Sequence, residues 1–122
     1  MTLKPFRFGP LALTTTLTTN ILNPPTATGG VNAGSSAQYI ILTHVRIVNK
    51  TTGNITVSFW LGATASNTAG TEIFWQGTTV PPNSFIDWFG RLRMDSADFL
   101  VGGCNTATAA SIEGEGEIGV SG

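Results

Sequence analysis

Ile55-Thr56-Val57-Ser58-Phe59-Trp60-Leu61 decides how this chain folds, because Ile55, Val57, Phe59 and Leu61 occupy every second position. Successive side chains of an extended backbone leave on opposite sides, so a period of two predicts a strand with one face buried. Leu11, Leu13, Leu17 and Ile21 share one parity in the same way nearer the N-terminus. Working outward from these runs, seven strands are predicted, over residues 11–22, 38–49, 55–61, 72–76, 85–89, 98–101 and 110–120. Pro24-Pro25, the Gly/Ala/Ser/Asn-rich residues 26–37, residues 62–70, Pro81-Pro82-Asn83 and Met94-Asp95-Ser96-Ala97 supply the intervening turns and loops. Residues 38–49 are apolar on both parities, which predicts a central strand covered on both faces. The polar residues 49–54, with Gly53 and Asn54 available for positive φ, then predict a hairpin returning the chain along 55–61.

Threonines and fifteen glycines are spread along the chain, and no stretch has the periodicity of a helix. Short strands punctuated by turns predict an all-β chain: a single antiparallel β-sandwich, jelly-roll-like, over residues 11–122. Residues 1–10 contain Pro5 and Pro10, which cannot donate to a central ladder, and are read as an extended N-terminal arm. An isolated arm finds no core of its own, so Phe6 and Phe8, flanking Arg7 and followed by Leu11, are predicted to anchor on a neighbouring subunit.

With 122 residues the chain has the size of one domain, and only 11% of them are charged, against about 25% in an average domain. The net charge is −1, and the six basic residues are scattered except for Arg91 and Arg93. That distribution lacks the clustered positive surface needed to displace counterions from phosphates, which argues against a nucleic-acid partner. One cysteine, Cys104, allows neither an intrachain disulfide nor a cysteine-based metal site and reads as a small apolar core residue. No apolar run reaches the roughly eighteen residues of a membrane helix, and residues 1–10 lack the apolar stretch of a secretory signal. The expectation is a protein made in the cytoplasm, or exported as part of something larger, with no membrane partner.

Few residues are left for chemistry. Glu113, Glu115 and Glu117 share one face of the last predicted strand, but one straight strand cannot bring three carboxylates to a single cation. They read as a wet face that discourages edge pairing, near Arg91 or Arg93. Gly114 and Gly116 fall on the opposite parity and leave room for a large side chain such as Trp60, Trp75 or Trp88. His44, the only histidine, has no accompanying nucleophile motif and reads as a structural or interface residue. No catalytic residue, cofactor or metal is predicted. Trp60 and Trp88 have the parity opposite to their apolar neighbours, so they face solvent or a covered outer surface. Such aromatics suit subunit contacts or stacking on sugar rings, and Trp60, Trp75 and Trp88 are candidates for either.

Three stretches resemble small virion structural proteins of tailed bacteriophages: Tyr39-Ile40-Ile41-Leu42-Thr43-His44-Val45-Arg46-Ile47-Val48-Asn49-Lys50-Thr51; Asp87-Trp88-Phe89-Gly90-Arg91-Leu92-Arg93 with Ala97-Asp98-Phe99-Leu100-Val101-Gly102-Gly103; and Ile112-Glu113-Gly114-Glu115-Gly116-Glu117. The resemblance implies a non-enzymatic β-sandwich present in many copies, such as a capsid decoration (cement) protein, often trimeric. Its partners would be the major capsid protein or other virion subunits, and its location the capsid surface after synthesis in the host cytoplasm. A tail, collar or neck component and a carbohydrate-binding module are the alternative readings.

Overall fold

Eight strands, one more than the periodicity suggests, run through the computed structural model, which describes residues 2–24 and 39–120. They are β1 (Thr2–Ala12), β2 (Asn20–Leu22), β3 (Tyr39–Asn49), β4 (Ile55–Gly62), β5 (Glu72–Val80), β6 (Ser84–Asp95), β7 (Phe99–Cys104) and β8 (Ala110–Val120). Two four-stranded antiparallel sheets result, one in the order β1-β8-β3-β6 and the other β2-β7-β4-β5. Their inner faces enclose one apolar core. The predicted all-β sandwich is therefore correct, and the interleaved strand order is that of a jelly roll. The loop read at residues 26–37 lies outside the described residues.

The separate N-terminal arm is corrected. Strand β1 pairs with β8 from Thr2 to Ala12, as an edge strand whose prolines leave the ladder beyond it unburdened. Phe6 and Phe8 are 5% and 0% exposed, so they anchor the chain in its own core. Gly114 makes this possible: a Cβ there would collide with the Phe8 ring. The predicted space opposite the β8 glycines is thus filled by Phe8 rather than by a tryptophan, and at Gly116 the backbone of Ile41 and Leu42 approaches instead.

Residues 11–22 are not one strand. The chain changes sheets at Leu13 and Thr14: the Leu13 N–H donates to Ala110 of β8, while the Thr14 carbonyl accepts from Cys104 of β7. The Thr19 hydroxyl and amide both donate to the Thr16 carbonyl and close a turn that strand propensity did not anticipate. The hairpin predicted across residues 49–54 is likewise a crossing between sheets, since β3 pairs with β6 and β8 while β4 pairs with β5 and β7. Asn49 holds that crossing. Its fully buried amide donates to the carbonyls of Gly53, Val80 and Pro81 and accepts from Thr51. Neither Gly53 nor Asn54 uses a positive φ.

Strand β3 is central, as predicted, yet its mixed pattern has another cause. Strand β3 bulges at Thr43 against β8, and β6 in turn bulges at Gly90 and Arg91 against β3, so the pairing shifts between Leu42 and His44 on both sides. Ile40 and Leu42 point inward before it, and Val45 and Ile47 after it, all at 0% exposure. Arg46 and Val48 accordingly emerge on the outer face with His44. Further along, the irregular region at 91–101 resolves into the end of β6, a turn closed by the Asp98 N–H on the Asp95 carbonyl, and β7. Cys104 is buried, as expected of a small apolar residue.

Because Phe8 is fully enclosed, Phe8→Ala is expected to cost about 3–5 kcal/mol in urea unfolding of the whole chain. A loss under about 1 kcal/mol, the scale of an exposed substitution, would mean that β1 does not belong to the core.

Candidate interaction surface

The outer face of the β1-β8-β3-β6 sheet carries a linked group of charged side chains, set there by the β3 bulge. Cross-strand register brings Arg7, Glu115, His44 and Phe89 into one row. Glu113, Arg46 and Asp87 form the next row, and Ser111, Val48 and Phe85 the one after.

Asp87 is the hub. Its Oδ1 accepts from Arg46 Nε at 2.7 Å and lies 2.8 Å from His44 Nε2, while its Oδ2 accepts from Arg46 Nη2 at 3.1 Å. Two parallel contacts of this kind orient a guanidinium as well as attract it. The Arg46 hydrogen bonds hold the Asp87 carboxyl below the usual carboxylate range; the His44 hydrogen bond adds to this and partial burial opposes it. In turn the hydrogen bond to Asp87 raises Arg46, again against desolvation, with Asp87, Glu113 and Glu115 adding attraction. The second imidazole nitrogen, Nδ1, lies 3.1 Å from Glu115 Oε1.

Each of these two basic residues supports an aromatic ring. The Arg46 guanidinium lies 4.3 Å from the centre of Phe85, and the His44 ring stacks on Phe89 at 4.7 Å with 20° between the planes. Phe85 is nevertheless 51% exposed and Phe89 72%, with Val48 also exposed between the rows. Isolated exposed apolar residues are ordinary, but three on one face, two of them held from beneath, form a shaped patch. Beside it Pro10, Arg46, Val48, Ser111, Ile112 and Glu113 line a depression of about 200 Å³. Ligand pockets usually span about 300–1,000 Å³, so this one is of the size for a single protruding side chain.

As an acid–base centre the cluster is poorly placed. Both ring nitrogens of His44 face carboxylates, and no hydroxyl bonds to it among the described residues. No group of three His, Cys, Asp or Glu suited to a metal occurs among the described residues.

The residues singled out from sequence do not converge here. Of the predicted assembly-contact residues only Arg7 reaches this face, opposite Glu115, although His44, Glu113 and Glu115, read from sequence as structural or wet-face residues, lie on it too. Phe6 and Phe8 are in the core and Leu11 packs against it. Trp60 is buried at 5% exposure. Trp75 and Trp88 are half-buried, tilted against Phe74, with Trp75 also edge-on to Phe59. Arg93 pairs with Asp95 and covers Tyr39 instead of meeting the glutamates. What sequence reasoning missed are Phe85 and Phe89. Their signal was present: Phe85, Asp87, Phe89, Arg91, Arg93 and Asp95 share one parity, so the phenylalanines keep company with charges while Trp88 faces inward.

Compared with known proteins, no family model, no curated protein and no solved structure matches this chain.

The lowered Asp87 carboxyl sets a pH dependence. Its contribution to stability is complete above the unfolded-state value, 3.8, and is lost as pH falls through the lower folded value. At pH 7 Asp87→Asn should therefore show a lower urea midpoint than the wild type, and the gap should close below about pH 4, near the ordinary aspartate value. A gap unchanged between pH 7 and pH 2 would contradict this assignment.

Proposed function

We propose that this chain is a non-enzymatic structural subunit of a phage virion, a capsid decoration (cement) protein that attaches through the outer face of its first sheet. The supporting observation is the patch of Phe85 and Phe89, exposed yet braced by Arg46 and His44. An exposed ring normally loses rotamer freedom when a partner covers it. A ring already braced has less to lose, and preorganisation of this kind strengthens association without added area. Interface centres are enriched in aromatics and arginine and depleted in other charges, a composition that Phe85, Phe89, Val48 and the neutralised Arg46 reproduce.

The resemblance of the β3, β6–β7 and β8 sequences to small tailed-phage virion proteins supplies the assembly. Major capsid protein subunits are the proposed partners, and the capsid surface the location. A tail, collar or neck subunit would use the same face, and copy number per particle separates the two. Sugar stacking has less support, because Trp60 is buried and Trp75 and Trp88 spend much of their surface on Phe59 and Phe74.

Heads of the virus that encodes this chain, stripped of it and incubated with the purified protein, provide the test. Wild type should co-sediment in many copies per head and raise the temperature at which heads rupture. The double variant F85S/F89S should fold normally and bind at least tenfold more weakly. Failure of the wild type to bind heads, or undiminished binding by the double variant, would overturn the proposal.

A further inference from the structure

The depression beside the phenylalanine patch has a definite chemistry. It lies over β8, between Pro10 of β1 and the outward side chains of β3, and spans the rows of Glu113 with Arg46 and of Ser111 with Val48. Ile112 contributes backbone to its floor, because its side chain is 0% exposed in the core. Pro10 and Val48 give apolar walls, while Ser111 and Glu113 bring a hydroxyl and a carboxylate. Across Val48 the same row ends on the exposed ring of Phe85.

Arg46 is the one basic residue of this lining, and its guanidinium is already engaged. Its Nε and Nη2 both donate to Asp87, and its planar face covers Phe85. Glu113 attracts Arg46 from a distance but forms no ion pair among the described residues. The next carboxylate along β8, Glu115, has His44 in contact. Glu113 is thus half-buried with no counter-ion against it. While the depression is open, solvent can stabilise such a charge; a partner that covers it takes that solvation away.

This requirement selects the occupant. An apolar side chain would suit the walls but leave a covered, unpaired carboxylate, which is the costly way to bury a charge. An acidic one would be set against Glu113, with Arg46 already held by Asp87. Lysine and arginine carry a positive head on a stem of methylenes, and so match both the walls and the carboxylate. We propose that this depression receives a basic side chain of the capsid subunit to which the chain attaches, its stem between Pro10 and Val48 and its charged head on Glu113 and the Ser111 hydroxyl. The ion pair then forms at the border of the Phe85/Phe89 patch, where the apolar contact shields it from water and makes it stronger than a pair on open surface.

This inference rests on the proposed attachment to heads and names the group that the partner presents there. Co-sedimentation with stripped heads tests it. Glu113→Gln keeps the shape of the side chain and should raise the dissociation constant at least tenfold. Between about 50 and 500 mM salt its affinity should also fall less steeply than that of the wild type, because a charge pair is missing and salt screens charge. Ser111→Phe leaves the carboxylate in place but fills the depression, and should weaken binding by a similar factor. Thermal unfolding of both variants checks that they fold. Heads that bind the wild type and bind either folded variant equally well, or that show one salt dependence for wild type and Glu113→Gln, would overturn this inference and leave the attachment standing. Heads that do not bind the wild type would overturn both.

Discussion

One extra residue in the central strand sets much of this molecule. At Thr43 the β3 backbone bulges, and the side chains that follow change faces. Before the bulge the even-numbered Ile40 and Leu42 enter the core; after it the odd-numbered Val45 and Ile47 do. A regular strand would have buried one of these pairs and exposed the other, because a shift of one residue sends a whole set of side chains to the opposite face. Both pairs reach the core only because the bulge absorbs the mismatch. It also decides where His44 and Arg46 emerge, and hence where Asp87 and the two phenylalanines find support.

The outer face is an electrostatic arrangement built on that backbone. Asp87 stands between Arg46 and His44, and its carboxylate is shared by both. Neutralising the arginine while leaving its planar face free lets that face carry Phe85, and the imidazole carries Phe89 in the same way. Charge is thereby used to position apolar surface. That use is consistent with a chain whose few ionised residues gather on one sheet instead of around a cleft.

Elsewhere the fold keeps its sheet ends closed by local means. Threonine hydroxyls close the turn between the sheets at residues 14–19, and one buried asparagine gathers the carbonyls where β3 crosses to β4 and β5 turns into β6. A buried amide with every partner in place costs little, whereas one left unpaired would be expensive, so Asn49 ties three segments to a single geometry. Strand β6, at an edge of the first sheet, displays the exposed phenylalanines on the side of its own bulge at Gly90 and Arg91 that faces β5 in sequence.

Several features follow from sequence alone. Alternation identified the β class and the last strand, because period and polarity are properties of a strand irrespective of its partners. The glycines of β8 announced a large neighbour for the same reason. Which neighbour it is, Phe8 rather than a tryptophan, depends on β1 returning to β8 across more than a hundred residues of chain. Likewise a bulged strand and a strand covered on both faces share one apolar pattern, and only the register against β6 and β8 separates them. The turn at 49–54 reads locally as a hairpin, yet the chain crosses to the other sheet because β6 and β8 already occupy both sides of β3. Local patterning determines which residues want to be buried; pairing between distant segments decides against what, and which aromatics are left outside.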